Sequence, residues 1–378
     1  MPAPPSHRTG VLAIVLASYL MIGWYIPRLD VDFRAKNMRR EDTMGYRQSP
    51  RLTRNMVGGA LALALTLEGP TLASAQTALK VMVFPGLSNY SIFAAQQKGF
   101  FAKHGLSIEL INTPNSELQR ERLAKGEIQI AETAADNAVA MVELAKVDVV
   151  IVTGDNNGYN RIFVQPEIAS YADLRSKTVV VDAPNTAYAL LLYKVLKNAG
   201  LNKGDYKVNP VGGTPQRLEA MTRDKTNAAG VLNVPFSFRA AQAGLKDMGS
   251  AAAAIGAYQA VGAVVLRSWA QANSDSLVHY IRAIVEGGRW VRDPANKAEA
   301  TQLLADRLQL PLDVAAKSYS LATDPVDGMA KDAKLDLEGF RNVLKLRAEI
   351  EGQWGGTPPP IERYFDLTYY DKALAGLR

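Results

Sequence analysis

From Lys80 onward, short apolar runs alternate with amphipathic stretches; the alternation runs through once, stops, and begins again. The first pass predicts strands at Lys80–Phe84, Ser107–Ile111, Ile128–Glu132 and Val147–Thr153. Helices fall between them at Tyr90–Phe101, Ser116–Ala124 and Ala134–Ala145. Val147–Thr153 is almost continuously β-branched, as a strand buried on both faces requires. The second pass places strands at Thr178–Asp182, Tyr206–Val211 and Ala228–Leu232. Its helices are Thr186–Ala199, Thr214–Arg223 and Pro235–Ala243. Strand and helix in strict succession with short links mean an α/β fold built on largely parallel sheets.

After a further strand at Val261–Leu266, the chain turns helical. Apolar spacing near 3.6 marks Ser276–Val291, Ala295–Leu308, Leu312–Tyr319 and Leu337–Glu351. No low-complexity linker divides the two passes, so two lobes joined by crossing strands are expected. The crossings are predicted near Phe163–Pro166 and Tyr258–Gly262, with hinges at Gln165 and Tyr258. The division is then residues 78–165 plus 262–378 for lobe one and 166–261 for lobe two. The segment after Trp354, with Pro358-Pro359-Pro360, is expected to wrap across lobe one.

The first 75 residues read differently. Met44 is followed by Arg47, Arg51 and Arg54, then an apolar run from Val57 to Leu67. Gly69-Pro70 breaks that run before Ala73-Ser74-Ala75, a small-x-small cleavage site. That order of zones is a secretory signal, with the cut after Ala75 and Met44 as the start. The earlier run Val11–Ile26 spans 16 residues, short of the roughly 20 a spanning helix prefers. It is either a short anchor or sequence upstream of the true start.

Charge and cysteine then exclude whole classes. Residues 1–75 hold nine Lys/Arg and five acids, so they carry +4 of the formal +6 and leave the other 303 residues at +2. That balance gives no electrostatic case for nucleic acid. The chain has no cysteine, which removes thiolate nucleophiles, Cys-ligated metals, disulfides and a lipoprotein anchor. Export to the periplasm as a free protein is the expectation. His7, His104 and His279 stand apart, so no metal site and no cofactor are predicted; His104 and His279 read as ordinary helix residues. Gly-x-Ser-x-Gly, Walker and Gly-x-Gly-x-x-Gly patterns are missing from the mature sequence.

What the strand ends share is small polar residues where helices begin: Ser88-Asn89-Tyr90, Thr133, Asp155-Asn156-Asn157, Asn185-Thr186, Thr214-Pro215 and Asn233. Free backbone N–H groups at such places bind polar or anionic groups. Each is individually an ordinary cap; together, around one cleft, they would make a binding site. Glu132, Asp136 and Asp155 also fall at strand ends, and Thr133 with Asp136 has the spacing of a capped first turn.

Certain stretches resemble a known family. They are Leu79-Lys80-Val81-Met82-Val83, the run Gln97-Lys98-Gly99-Phe100-Phe101-Ala102-Lys103-His104-Gly105-Leu106, Leu123–Ile128, and Tyr171-Ala172-Asp173-Leu174-Arg175-Ser176-Lys177-Thr178-Val179. They are similar to periplasmic solute-binding proteins of ABC importers, in the aliphatic-sulfonate, nitrate, taurine and thiamine-pyrimidine-precursor group. The resemblance covers roughly residues 78–350 and implies a two-lobe type II periplasmic-binding-protein fold. It also implies a monomer that closes on a small-molecule solute and docks on a membrane permease, with no reaction performed. Carried onto this chain, the contact positions are Ser88, Asn89, Tyr90, Thr133, Asp136, Asn185, Thr186, Thr214, Asn233 and Phe236. To these the strand-end reading adds Asp155 and Asn156. Gln129 and Asn227 stand where the family often has Asp, and the loop Asp155–Arg161 is rich in amide side chains. Ligand charge is left open: helix starts with Arg217 suit a sulfonate or carboxylate, and Glu132, Asp136 and Asp155 suit an amine or aminopyrimidine. Tyr90, Tyr159, Phe236 and Tyr258 are aromatic candidates for walls of the site. A periplasmic enzyme on the same fold, or a ligand sensor, are the competing functions.

Overall fold

The computed structural model describes residues 76–377. The leader and the run Val11–Ile26 lie outside the described residues. Two five-stranded sheets carry the fold. The first has the order β2-β1-β3-β10-β4, from β1 (Thr77–Val83), β2 (Leu106–Asn112), β3 (Ile130–Ala134), β4 (Val149–Ile151) and β10 (Val261–Leu266). The second has the order β7-β6-β8-β5-β9, from β5 (Arg161–Val164), β6 (Thr178–Val181), β7 (Lys207–Pro210), β8 (Asn227–Leu232) and β9 (Lys246–Ser250).

The sheets follow one plan. In each, four strands point the same way and the one in the fourth position runs against both its neighbours: β10 in the first, β5 in the second. Each antiparallel strand is the one the chain forms directly after crossing from the other sheet. Every residue of β3, β4 and β8 is buried, and apart from Glu132 and Thr133 at the end of β3 and Asn227 at the start of β8 these segments are apolar or small. The antiparallel strands explain why the sheets are mostly, and not wholly, parallel.

Helices cover the sheets. The first half carries α1 (Tyr90–Gln97), α2 (Phe100–Lys103), α3 (Ser116–Ala124) and α4 (Ala135–Glu143). The second carries α5 (Ala187–Asn198), α6 (Thr214–Arg223) and α7 (Phe236–Gln242). Then come α8 (Arg267–Ala272), α9 (Ser274–Arg292), α10 (Lys297–Leu308), α11 (Leu312–Ala322), α12 (Leu337–Glu351) and α13 (Thr368–Ala375). In α9, Leu277, Tyr280, Ile281, Ile284 and Val285 recur at helical spacing and are all buried. Its Gly287 meets α1 so closely that a Cβ there would lie 2.2 Å from the Ser91 carbonyl oxygen.

One boundary differs from the sequence reading. Arg161–Val164 pairs with β8 and β9, so it stands in the second sheet and the first crossing falls at residues 152–160. The Ile162-Phe163-Val164 run is short, and its neighbours arrive late in sequence. The second crossing lies between β9 and β10, before Val261. There Gly262 passes the other crossing strand with room for no side chain: a Cβ would sit 2.1 Å from the Thr153 carbonyl oxygen. The tail after Trp354 does lie along the first sheet: Phe365 bridges Ile151, and the Tyr364 hydroxyl donates to Glu143 at 2.7 Å.

Candidate functional site

Where the parallel strands of both sheets end, a narrow cleft opens between them. This is the position at which α/β sheets hold ligands, because strand ends and helix starts converge there. One wall brings Phe84, Pro85, Gly86, Ser88 and Asn89 from the link after β1, Ser116 from the start of α3, and Glu132, Thr133, Ala134 and Asn137 from β3 and α4. The other brings Asp182 and Thr186 from the link after β6, Ala187 and Tyr188 from the start of α5, Thr214 and Arg217 from α6, and Asn233; Val261 lies at the crossing.

The two walls touch. Leu87 donates its backbone N–H to the Val234 carbonyl at 3.0 Å, and Gly213 donates to the Pro114 carbonyl at 2.7 Å. The Ser116 N–H reaches the Asp182 carboxylate at 3.1 and 3.2 Å. Asp182 thus meets the first turn of a helix from the opposite half, an arrangement favoured by the free N–H groups and dipole there.

Six predicted residues line the cleft: Ser88, Asn89, Thr133, Thr186, Thr214 and Asn233. The other six do not, each for a visible reason. Tyr90 is fully buried in an apolar cluster with Phe93, Leu304 and Val291, and Phe236 is likewise buried. Asn185 lines grooves outside the cleft, and its carbonyl accepts from Arg347 at 3.2 Å. Asp136 is gripped by Arg347 from α12 at 2.8 and 2.6 Å, with both side chains almost wholly buried. Asp155 and Asn156 stand one step behind the cleft. No helix follows them, because they begin the first crossing. Asn156 Oδ1 accepts from the Ser88 hydroxyl at 3.2 Å and from the Gly158 N–H at 2.8 Å, so it positions a lining residue.

The capping expectation also changes. The residue before α4 is Ala134, no side chain caps that helix, and Thr133 instead accepts from Asn137 at 2.8 Å. Of the aromatic candidates, neither Tyr90, Tyr159, Phe236 nor Tyr258 reaches the cleft; Phe84 and Tyr188 do.

Arg217 is the second surprise. Its position in the first turn of α6 is compatible with a solvent-facing side chain, but the residue is 3 % exposed. It donates to the Val231 carbonyl at 2.9 Å, the Gly212 carbonyl at 2.9 Å and the Thr214 hydroxyl at 2.8 Å. Most of its fork is committed to the protein itself.

Glu132 sits at the end of β3 with one carboxyl oxygen accepting from the Tyr280 hydroxyl at 2.7 Å. Burial, and then the nearby Asp155 carboxyl, push its pKa up to about 8 against the hydrogen bond from Tyr280. Burial alone raises Asp155 to about 7, opposed by its hydrogen bonds from Asn156 and Ser91. Among the described residues no group of His, Asp and Glu is arranged to hold a metal ion, and no cleft hydroxyl is bonded to a carboxylate or imidazole.

The comparisons agree with this architecture. A model of the NMT1-like family matches residues 73–305. No protein of curated function matches the sequence significantly. Among solved structures, the periplasmic nitrate-binding protein NrtA from Synechocystis PCC 6803 superposes with a TM-score of 0.65 at 14% identity, covering 80% of this chain and 89% of its own. The periplasmic aliphatic sulphonate binding protein SsuA from Escherichia coli gives 0.59 at 18% identity, covering 78% and 99%. The desulfurization enzyme DszB gives 0.56 at 13% identity, covering 79% and 99%. At such identities the likeness is one of fold.

Proposed function

The chain belongs to the NMT1-like family, and on that footing we propose that it is an exported solute-binding receptor of an ABC importer. A small organic solute (a sulfonate, a carboxylate or an aminopyrimidine-like molecule) enters between the two sheets. The halves close over it, and the closed form is delivered to a membrane permease. The protein works in the periplasm as a monomer. Among the described residues no helix is long and apolar enough to cross a membrane.

One observation carries the reading most: a single cleft lined from both halves, whose walls are already joined by hydrogen bonds from Leu87, Gly213 and Ser116. A ligand that touches both walls favours the closed arrangement by its differential affinity for it. The crossings at residues 152–160 and 251–260 are the hinges.

Native mass spectrometry of the protein from the periplasm of an expressing host tests this. The expected result is a small molecule released on denaturation, and a melting temperature raised when it is added back. At about 100 times its dissociation constant, a ligand adds roughly 2.7 kcal/mol. A protein that carries nothing and whose melting point no amine, sulfonate, pyrimidine or carboxylate moves is not a small-solute receptor.

A further inference from the structure

Two acids in and behind the cleft have no cation. Glu132 is 6 % exposed and lines the cleft; Asp155 lies behind it, bonded to Ser91 and Asn156. Neither forms an ion pair among the described residues. Of the other buried charges near them, Asp136 is paired with Arg347, and Arg217, which has no acid in contact, spends three of its N–H groups on two carbonyls and the Thr214 hydroxyl. The partly exposed Asp182 takes the Ser116 N–H. A second acceptor waits beside Glu132. Asn137 is 2 % exposed and lines the same cleft; it donates to Ser116 and Thr133, and its Oδ1 has no donor. An unpaired buried acceptor costs free energy until something donates to it. Phe84, Ala134, Ala187 and Val261 supply apolar wall around these groups.

We propose that Glu132 anchors the solute, with Asn137 beside it, and that the solute is a compact organic cation with N–H donors. Its chemical class is a primary ammonium, an amidinium or a protonated aminoheterocycle on an apolar body. This rests on the receptor reading and narrows it. An anion in the same place meets the carboxyls of Glu132 and Asp182, while three N–H groups of Arg217 are committed to the Val231 and Gly212 carbonyls and the Thr214 hydroxyl. A cation against Glu132 favours the ionised carboxylate and so expels its proton. The groups that face this carboxyl are Asp155 and Tyr280, with Tyr159 and Arg292 beyond Asp155. Its raised proton affinity at neutral pH makes the expelled proton measurable.

The test is calorimetry on the purified protein, freed of bound ligand by unfolding and refolding. Benzylamine, benzamidine and 4-aminopyridine are titrated at pH 7 in phosphate and in Tris, beside benzenesulfonate and nitrate. At least one of the cations is expected to bind, with an enthalpy that differs between the buffers as proton release requires. Glu132→Gln is expected to weaken that binding tenfold or more. Binding of benzenesulfonate or nitrate but of no cation overturns the cation proposal and leaves the receptor standing. Silence from every probe removes both. If Glu132→Gln does not fold, the wild-type buffer dependence decides: cation binding without proton release overturns the role of Glu132. Undiminished cation affinity in a folded Glu132→Gln does the same.

Discussion

Glu132 and Asp136 are four residues apart and both nearly excluded from water, yet their surroundings differ in kind. Asp136 receives a two-pronged guanidinium from Arg347, a residue more than two hundred positions later, and Arg347 also reaches the Asn185 carbonyl in the second half. Glu132 receives one tyrosine hydroxyl and the field of another acid. An acid whose counter-charge is supplied by the fold is structural, because its removal leaves a buried charge behind. An acid left without one, in a cleft, is free for what enters. Position in the chain does not separate these two roles; the origin of the partner does.

Arg347→Met attacks the paired site and carries the largest expected effect. It strands Asp136 and is expected to cost about 3–5 kcal/mol in urea unfolding. The double variant with Asp136→Asn recovers much of that loss, since the buried charge is then gone. A single-variant loss below about 1 kcal/mol would erase the contrast. Thr214→Val probes the opposite wall. It takes one acceptor from the buried Arg217 and is expected to cost about 1–3 kcal/mol by the same assay.

The unpaired site predicts a pH signature. Glu132 and Asp155, with pKa values near 8 and 7, keep protons in the folded protein that the unfolded chain releases above pH 4–5. The folded state therefore binds more protons over that window, and stability falls as pH rises toward 8. The melting temperature of the ligand-free protein is expected to drop between pH 5.5 and 8.5, and Glu132→Gln to flatten the drop. An equal slope in both proteins would place the titration elsewhere. The smallest effect belongs to the solvent-facing pair Lys194–Glu349 at 2.8 Å between α5 and α12. Lys194→Ala is expected to cost about 0.2–1 kcal/mol in the same unfolding experiment.

The sequence made the layers legible because burial writes itself into composition. Val149–Ile151 and Thr178–Val181 are β-rich runs that only a covered sheet tolerates, and α9 shows its apolar stripe plainly. Small polar residues after strands located half of the expected cleft residues, because the fold puts strand ends and helix starts in one place. What failed were the judgements that depend on distant partners. Arg347 gives no local sign that it reaches Asp136, and Tyr90, first in its helix after Ser88-Asn89, gives none that it faces α10 and α11. Asp182 and Ser116, which join the walls, stand at a strand end and a helix start and could have been found by the same rule. Tyr188 and Asn137 sit inside the first turns of α5 and α4, past the helix-start residues the rule picks out. The similarity to nitrate- and sulfonate-binding proteins, carried by scaffold motifs, is matched by fold likeness to NrtA and SsuA.

The antiparallel strand in each sheet also sets a timetable. All five strands of the second sheet come from one uninterrupted stretch, residues 161–250, and need nothing made later. The first sheet is different: β4 has β10 on one side and Phe365 on the other, so both its neighbours are synthesised long after it. A chain that emerges amino end first carries Val149–Ile151 as an unclaimed edge while the later half assembles. The half begun first is the half finished last, and through that interval the strand is open to pairing with another chain.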